Sequence, residues 1–393
     1  MPVKVLLVHN FYQRPGGEDQ VFGAEGTMLE RNGHEVLRYT VANDALNQTP
    51  ASAMAVQTVW NRRTHAELTR IVSDERPDVV HFHNTFPVIS PAAYHAARGA
   101  GAAVVQTLHN YRLICSNAQL FRDGRPCEDC VAKRVRWPGV VHRCYRSSVL
   151  ASGTIVAMLS VHEALQTWRR SVDRYIALTE FARAKFVAGG LPARKVAVKP
   201  NFVADDPGVG TGDGGFALFV GRLSPEKGIE AMLDAWTSGA PGLPLKVVGS
   251  GPLDEPVAAR ASQVARIEWL GQRTNEEVRE FMKRAAVLVV PSIWYEGLPM
   301  TIVEAFAVGL PVVASDLGSM ASLVETGRTG VLFPAGDPSA LAQAVRHLAE
   351  DETARSRMGI AARAEYEEKY TASRNHELLL SIYRAAIADA TRS

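Results

Sequence analysis

Val287-Leu288-Val289-Val290-Pro291-Ser292-Ile293-Trp294-Tyr295-Glu296-Gly297-Leu298-Pro299-Met300-Thr301-Ile302-Val303-Glu304 is the stretch that decides the fold. An apolar run that stops at Pro291 and Ser292 reads as a buried parallel strand ending in a loop. The segment from Met300 to Val308 then reads as a helix. Glu296 therefore lies on a loop at the carboxyl end of a strand, and Glu304 lies about a turn into the next helix. The helix start between them offers unsatisfied N–H groups and the positive end of a dipole, which together seat an anion. Two carboxylates flanking an anion seat suit a polyhydroxylated ligand that carries a diphosphate, such as a nucleotide-sugar.

Outward from that segment, strand-length apolar runs alternate with helical patterns along almost the whole chain. In the first half the runs are Val3–Val8, Val36–Val41, Asp78–His83, Val104–His109, Tyr175–Thr179 and Val196–Lys199. In the second half they are Ala217–Gly221, Leu245–Gly249, Ile267–Leu270, Val287–Pro291, Pro311–Ser315 and Gly330–Phe333. Such alternation implies parallel sheets covered on both faces, with ligands at the carboxyl ends of strands. Residues 203–215, rich in Gly and Asp and without periodicity, make the best linker in the chain. With 393 residues, 47% of them hydrophobic, the chain can bury two cores. The expectation is an α/β protein of two Rossmann-like, doubly wound parallel-sheet domains facing across a cleft.

Two further stretches carry chemistry. In Gly221-Arg222-Leu223-Ser224-Pro225-Glu226-Lys227-Gly228, Arg222 and Lys227 bracket a loop-to-helix turn capped by Ser224-Pro225-Glu226. Two cations beside a helix start would neutralise a diphosphate. The other stretch is Val248-Gly249-Ser250-Gly251-Pro252-Leu253. In this order, over residues 215–335, the three segments resemble motifs of the retaining glycosyltransferases of family 4, which share the two-domain GT-B fold. The motifs are that family's G-R-L-x-x-x-K-G, its G-x-G-P loop and its E-x7-E signature. Over the amino-terminal half the resemblance is looser and rests on Gly16-Gly17, His109 and the alternation of strands and helices.

The resemblance implies transfer of a hexosyl or N-acetylhexosaminyl group from a nucleoside-diphosphate sugar to a hydroxyl acceptor, with retention of configuration. It assigns Glu304 to the ribose hydroxyls, Glu296 to hydroxyls of the transferred sugar, and the amides of Gly297 and Leu298 to the phosphates. It places Gly249 and Gly251 beside the donor, and the base near Gly271-Gln272-Arg273. UDP-sugar is the favoured donor and GDP-sugar the next. It brings Gly16 and Gly17 to the donor across the cleft, and His109 to the donor sugar as a polar contact rather than a nucleophile. It makes 1–203 the acceptor side and 204–370 the donor side, with the helical segment 371–393 packing back on the first domain. The chain contains no D-x-D motif, so the departing charge falls to Arg222, Lys227 and backbone amides, with no cofactor required for catalysis. Plainer readings stand beside these: a surface ion pair for Arg222 and Lys227, a dipole-favoured carboxylate for Glu304, turn glycines for Gly249 and Gly251. One rival function is a synthase joining a sugar to a sugar phosphate or inositol phosphate. Another is a non-catalytic, zinc-stapled subunit that binds sugar nucleotides, against which the intact Glu296, Arg222 and Lys227 argue.

Net charge is +2, but residues 1–200 carry 25 Lys and Arg against 16 Asp and Glu, while 201–393 carry 18 against 25. Either the two halves complement each other electrostatically, or the basic half meets an anionic acceptor or membrane surface. No recognised nucleic-acid motif accompanies the charge, which argues against nucleic acid as partner. The first apolar run has the length of a strand rather than a signal peptide, and Val149 to Val161 is too short to span a bilayer. The expected setting is cytoplasmic, with peripheral contact at the inner membrane face left open. Glycan, lipid-linked and small-molecule acceptors all fit.

All four cysteines, Cys115, Cys127, Cys130 and Cys144, fall in a window over 112–146 that interrupts the alternation after His109. One C-x2-C pair with two outlying cysteines matches a structural zinc site, with unbridged thiols and disulfides as alternatives. The window carries eight Lys and Arg, Arg112 among them, against three acids, with Trp137 alongside. Such a flap suits a phosphate-bearing or lipid-linked acceptor, or merely shapes the pocket. His81 and His83 lie two apart near a strand end and point the same way. Packing plus one acceptor contact, by His83, is favoured for them over a metal.

Overall fold

The computed structural model describes residues 2–13, 16–43, 50–239 and 241–392. The chain forms two compact units. Met1–Leu120, Glu128–Asn201 and Asn375–Ser393 belong to the first; Phe121–Cys127 and Phe202–Arg374 belong to the second. Each expected strand run is observed as a strand to within a few residues, because runs rich in Val, Leu and Ile between turn-forming residues can bury both faces of a pleated ribbon.

The first unit begins with β1 (Lys4–Phe11), α1 (Gly17–Arg31), β2 (Glu35–Ala42), α2 (Ala51–Val59), α3 (Arg62–Glu75), β3 (Val79–Asn84), α4 (Ala92–Gly99) and β4 (Ala103–Leu108). The cysteine window follows. It contains a short antiparallel pair, β5 (Phe121–Arg122) and β6 (Arg125–Pro126), which lies in the stretch belonging to the second unit. The first unit resumes with α5 (Pro138–Val141), α6 (Val149–Ala164), α7 (Thr167–Arg170), β7 (Arg174–Ala177), α8 (Glu180–Ala188) and β8 (Val196–Val198). Its six-stranded sheet runs β2-β1-β3-β4-β7-β8, all parallel. β3 and β4 are buried at every position, whereas the edge strand β2 alternates with solvent.

The second unit holds β9 (Ala217–Val220), α9 (Ile229–Ser238), β10 (Leu245–Val248), α10 (Asp254–Gln263), β11 (Ile267–Gly271), α11 (Asn275–Arg284), β12 (Val287–Val290), α12 (Met300–Ala307), β13 (Val312–Ser315), α13 (Ser319–Leu323), β14 (Gly330–Phe333), α14 (Pro338–Glu350) and α15 (Glu352–Lys369). Its parallel sheet runs β11-β10-β9-β12-β13-β14. Strand order reverses between β9 and β12 here, and between β1 and β3 in the first unit. Ligands of open α/β sheets bind outside the carboxyl ends of strands at such reversals. One core, centred on Trp236, Phe219, Val247 and Val289, backs the sheet, and the Trp236 indole N–H donates to the Leu243 carbonyl at 2.8 Å.

The last helix, α16 (Ala372–Ala390), lies from Asn375 onward in the first unit. There Tyr383 is fully buried, and Asn375 donates to the Pro200 carbonyl at 2.7 Å. Side chains close the amino ends of many helices: Asn61 for α3, Thr179 for α8, Thr274 with Glu277 for α11, Asp337 for α14 and Asp351 for α15. α12, which follows the switch-point strand β12, starts at Pro299 with no side-chain cap.

Candidate functional site

In the second unit the site is built from three loops at the carboxyl ends of β9, β10 and β12. The β9 loop turns through a short 3-10 segment, Pro225–Lys227, and Gly228 closes it at φ +71°. A Cβ at Gly228 would stand 1.9 Å from the Pro291 carbonyl oxygen, so only glycine allows this loop to lie against the end of β12. The Ile293 amide donates to the Glu226 carbonyl at 2.9 Å and ties the two loops together.

That approach brings Lys227 to Glu296. The ammonium donates to Glu296 Oε1 at 2.7 Å, Ser292 Oγ donates to the same oxygen at 2.7 Å, and Lys227 also lies 5.7 Å from the Trp294 ring centroid. Glu296 is 5% exposed, so the pair sits largely out of water. Arg222, by contrast, is exposed, and its guanidinium makes no hydrogen bond or ion pair among the described residues. The two cations expected to act alike are thus set differently: Lys227 is paired with a carboxylate, and Arg222 is exposed.

Glu304 lies a turn into α12, half-buried, and burial raises its carboxyl above the usual range against the opposing pull of Arg279. No hydrogen bond engages it among the described residues. The amides of Gly297 and Leu298 likewise meet no acceptor there, and the absence of a cap on α12 leaves that helix start open. Gly249 and Gly251 serve differently. The Gly249 amide donates to the Gly271 carbonyl at 2.8 Å, and the Gly251 amide to Asp254 Oδ1 at 2.6 Å. A Cβ on either glycine would run into the β9 loop, at 1.9 Å from the Gly221 oxygen and 2.4 Å from the Leu223 oxygen. Their role is close approach of backbones, and the amide left open in that loop belongs to Ser250, which the motif reading passed over. Arg273, after β11, is exposed, 3.8 Å from Glu277.

In the first unit the carboxyl ends of β1, β3 and β4 gather a second set. Gly16 caps α1, and its amide donates to Asp19 Oδ2 at 2.7 Å, while Asp19 Oδ1 meets His9 Nε2 at 2.6 Å. Open space surrounds the Cβ positions of Gly16 and Gly17. His109 ends β4 half-buried, with its Nε2 3.0 Å from His83 Nδ1. His83 is 2% exposed, so the acceptor contact expected of it is not available directly; it touches His109 and Glu25 instead. Arg112 is clasped between the rings of Phe86 and Tyr145, at 4.4 and 5.1 Å, and donates to the Ser116 carbonyl. Glu25, His9, Asp19 and Glu18 are site-side residues that the sequence reading missed. Glu18 and Asp19, directly after Gly16-Gly17, were the available signal.

Cys115, Cys130 and Cys144 lie in the first unit, and Cys127 lies in the stretch of the second. The Cys115 thiol faces Asn117 Oδ1 at 2.8 Å, and Cys130 Sγ lies 3.8 Å from the Arg136 carbonyl. The Arg136 side chain is buried near both sulfurs; burial lowers its pKa, and Glu163 and the two cysteines oppose that shift.

The sequence was compared with known proteins. The family described as "Glycosyl transferase 4-like domain" matches residues 16–201, and that described as "Glycosyl transferases group 1" matches residues 215–351. A phosphatidyl-myo-inositol mannosyltransferase of Mycobacterium leprae is 28% identical over 272 residues, covering 65% of this chain and 69% of that protein. An uncharacterized glycosyltransferase of Methanocaldococcus jannaschii is 33% identical over 150 residues, covering 38% of this chain and only 42% of that protein. The chain thus spans from about two fifths to about two thirds of the length of these relatives. Among solved structures, Anabaena HepE in complex with UDP superposes with a TM-score of 0.69 at 16% identity, covering 96% of this chain and 99% of that one, a likeness of fold.

Proposed function

This chain belongs to the family-4-like, group 1 glycosyltransferases of GT-B fold, and on that premise we propose that it moves a hexosyl or N-acetylhexosaminyl group from a nucleoside-diphosphate sugar to a hydroxyl acceptor with retention. The observation that carries the reading is the β9–β12 switch point, where Lys227 pairs with buried Glu296 beside exposed Arg222, the open amides of Gly297 and Leu298, and unengaged Glu304. Glu304 accepts from the ribose hydroxyls. Glu296, oriented by Lys227 and Ser292, accepts from hydroxyls of the transferred sugar. As the bond to the anomeric carbon breaks, charge grows on the leaving phosphate, and Arg222, the remaining N–H groups of Lys227 and the α12 amides take it up. A front-face route, in which the leaving phosphate draws the acceptor proton, uses only these groups. The UDP complex of a structural neighbour supports UDP-sugar as donor.

The test is nucleoside-diphosphate release from UDP-, GDP-, ADP- and dTDP-sugars, with Glu304→Ala and Arg222→Ala alongside. Release from one donor, reduced at least about 100-fold in both variants, is expected; undiminished release by either variant would remove that residue from the site. For the cysteine window we propose, from its C-x2-C pair and two outlying cysteines, a structural zinc held by Cys115, Cys127, Cys130 and Cys144, which among the described residues do not themselves form a metal-ligand cluster. About one zinc per chain should copurify and be lost with Cys130→Ser. A zinc-free protein of unchanged melting temperature would dismiss the site.

The acceptor side suits an anionic, surface-held substrate. Trp137, Val141 and Leu150 on α5 and α6 are 54%, 63% and 83% exposed, with Arg134, Arg143 and Arg146 close in sequence. Among the described residues no helix is long and apolar enough to cross a membrane, so the contact proposed is peripheral.

A further inference from the structure

We infer that Lys199, Glu25 and His83 form a positioning chain that locks His109 in its Nε2–H tautomer, so that His109 meets its ligand with a bare Nδ1 lone pair and selects a hydrogen-bond-donating hydroxyl there. The ligand part rests on the proposed contact of His109 with the donor sugar; the tautomer does not.

Lys199 and Glu25 are fully buried, and Lys199 Nζ donates to Glu25 Oε2 at 2.9 Å and to Asn375 Oδ1 at 3.0 Å. The ammonium and the carboxylate largely cancel each other, so the His83 ring beside them is cheapest to bury neutral. Glu25 Oε1 lies close to two rings on one face of β3, 3.1 Å from His81 Nδ1 and 3.2 Å from His83 Nε2, as a charge contact without hydrogen-bond alignment to either. The same three residues have the donor set of a metal site, with ligand atoms within 4.8 Å of one another. A divalent ion there would leave two positive charges uncompensated in a dry interior, because Lys199 has already neutralised the carboxylate.

Protons can then be placed one by one. Although His83 Nε2 and Glu25 Oε1 are not aligned for a hydrogen bond, the carboxylate oxygen 3.2 Å away attracts a proton and repels a bare lone pair, which favours the His83 proton on Nε2. As a neutral ring it has none on Nδ1. The 3.0 Å hydrogen bond between His83 Nδ1 and His109 Nε2 is therefore donated by His109. His109, also neutral, keeps no proton on Nδ1. Burial, the largest cause, lowers the pKa of both rings: His83 to about 4 and His109 well below its ordinary value. No donor meets His109 Nδ1 among the described residues, and the ring lines a hollow with Asn84, Asn110 and Arg112. An acceptor atom left open beside such a hollow would select a hydroxyl, and disfavour a carbonyl or a fluorine at the same place.

Glu25→Gln inverts the relay without changing its size. The amide oxygen faces Lys199, the amide NH₂ donates to His83 Nε2, the His83 proton moves to Nδ1, and His109 is driven to the Nδ1–H tautomer. Long-range ¹H–¹⁵N correlation spectra of the full chain labelled with ¹⁵N-histidine read this directly, with His109→Asn identifying the signals. The expected result is Nε2–H in the wild type and Nδ1–H in Glu25→Gln. Protonation of His109 at Nδ1 in the wild type overturns the inference, and that reading does not need Glu25→Gln to fold. The specificity arm measures dissociation constants for the monodeoxyfluoro series of the donor that the wild type turns over. One analogue should bind about tenfold to a hundredfold more weakly, and Glu25→Gln should recover much of that loss. Equal binding of all fluoro analogues sinks the selection of a hydroxyl. Absence of turnover with every donor would instead count against the transferase reading and leave the tautomer result standing.

Discussion

At the scale of single residues, burial sets what each charged group can do. Glu18 lies in the first turn of α1, where burial, followed by the charge of Asp19, pushes its carboxyl from the usual 4.5 up to about 7. Its Oε1 is buried without a hydrogen-bond partner among the described residues. Because the folded value is raised, the proton's contribution to stability is fully present below the unfolded value of 4.5 and is lost as pH rises through about 7. Glu18→Gln, neutral throughout, should melt with the wild type at pH 4.5 and a few degrees above it at pH 8. The same shift at both pH values would show that charge at Glu18 is not the cause. Glu296 and Lys227 illustrate a different arrangement: a carboxylate that is 5% exposed is held by an ammonium at 2.7 Å and by the Ser292 hydroxyl. Both residues were visible as motif members in the sequence, but their pairing was not. They are separated by 69 positions, and only the turn at Gly228 brings them together.

At the scale of elements, the candidate site combines a helix start without a side-chain cap with loops that approach too closely for side chains. Thr274 and Glu277 close α11, and Asp351 closes α15, whereas α12 starts without a side-chain cap, its Ile302 amide donating to the Pro299 carbonyl at 3.0 Å and the Gly297 and Leu298 amides just before it meeting no acceptor among the described residues. Gly228→Ala forces a Cβ to within 1.9 Å of the Pro291 carbonyl oxygen at a φ of +71° that alanine disfavours. We expect at least about 2 kcal/mol of destabilisation in urea unfolding, with loss of donor binding. Asp351→Ala, a cap far in sequence from the site, should cost about 1 kcal/mol and leave binding intact. A Gly228→Ala protein no less stable than Asp351→Ala would mean that the loop relaxes at little cost. Strand positions were legible from composition alone, since an apolar run between turn residues is a local signal. The small pair β5–β6 was not, because two residues on each side carry no period.

At the scale of the molecule, each unit reverses its strand order once, at β1/β3 and at β9/β12, and the candidate residues collect at the carboxyl ends of those strands. On α5, α6 and the residue before α5, Trp137, Val141 and Leu150 are exposed, close in sequence to Arg134, Arg143 and Arg146, and we propose that this stretch meets an anionic surface. Vesicles of phosphatidylglycerol should sediment the protein at low salt and release it at high salt, while phosphatidylcholine vesicles should not bind it. Leu150→Asp should weaken that binding about tenfold, one apolar side chain's worth of burial. Binding to both lipids alike, or none to either, would remove the anionic surface from the account.

By itself the sequence determined the α/β class, the positions of the strands, the two-domain organisation and the glycosyltransferase motifs. These depend on residue type and short spacing, which act over a few positions of chain. Only the tertiary structure decided which groups are occupied and which are open. Lys227 is taken by Glu296 while Arg222 stays exposed; the Gly251 amide is taken by Asp254 while that of Ser250 is open. Glu25 on α1, Lys199 after β8 and His83 on β3 likewise converge through burial. The physical reason is the same in each case. A buried charge or amide must find its partner wherever the fold puts one, and that partner is as a rule far away along the chain.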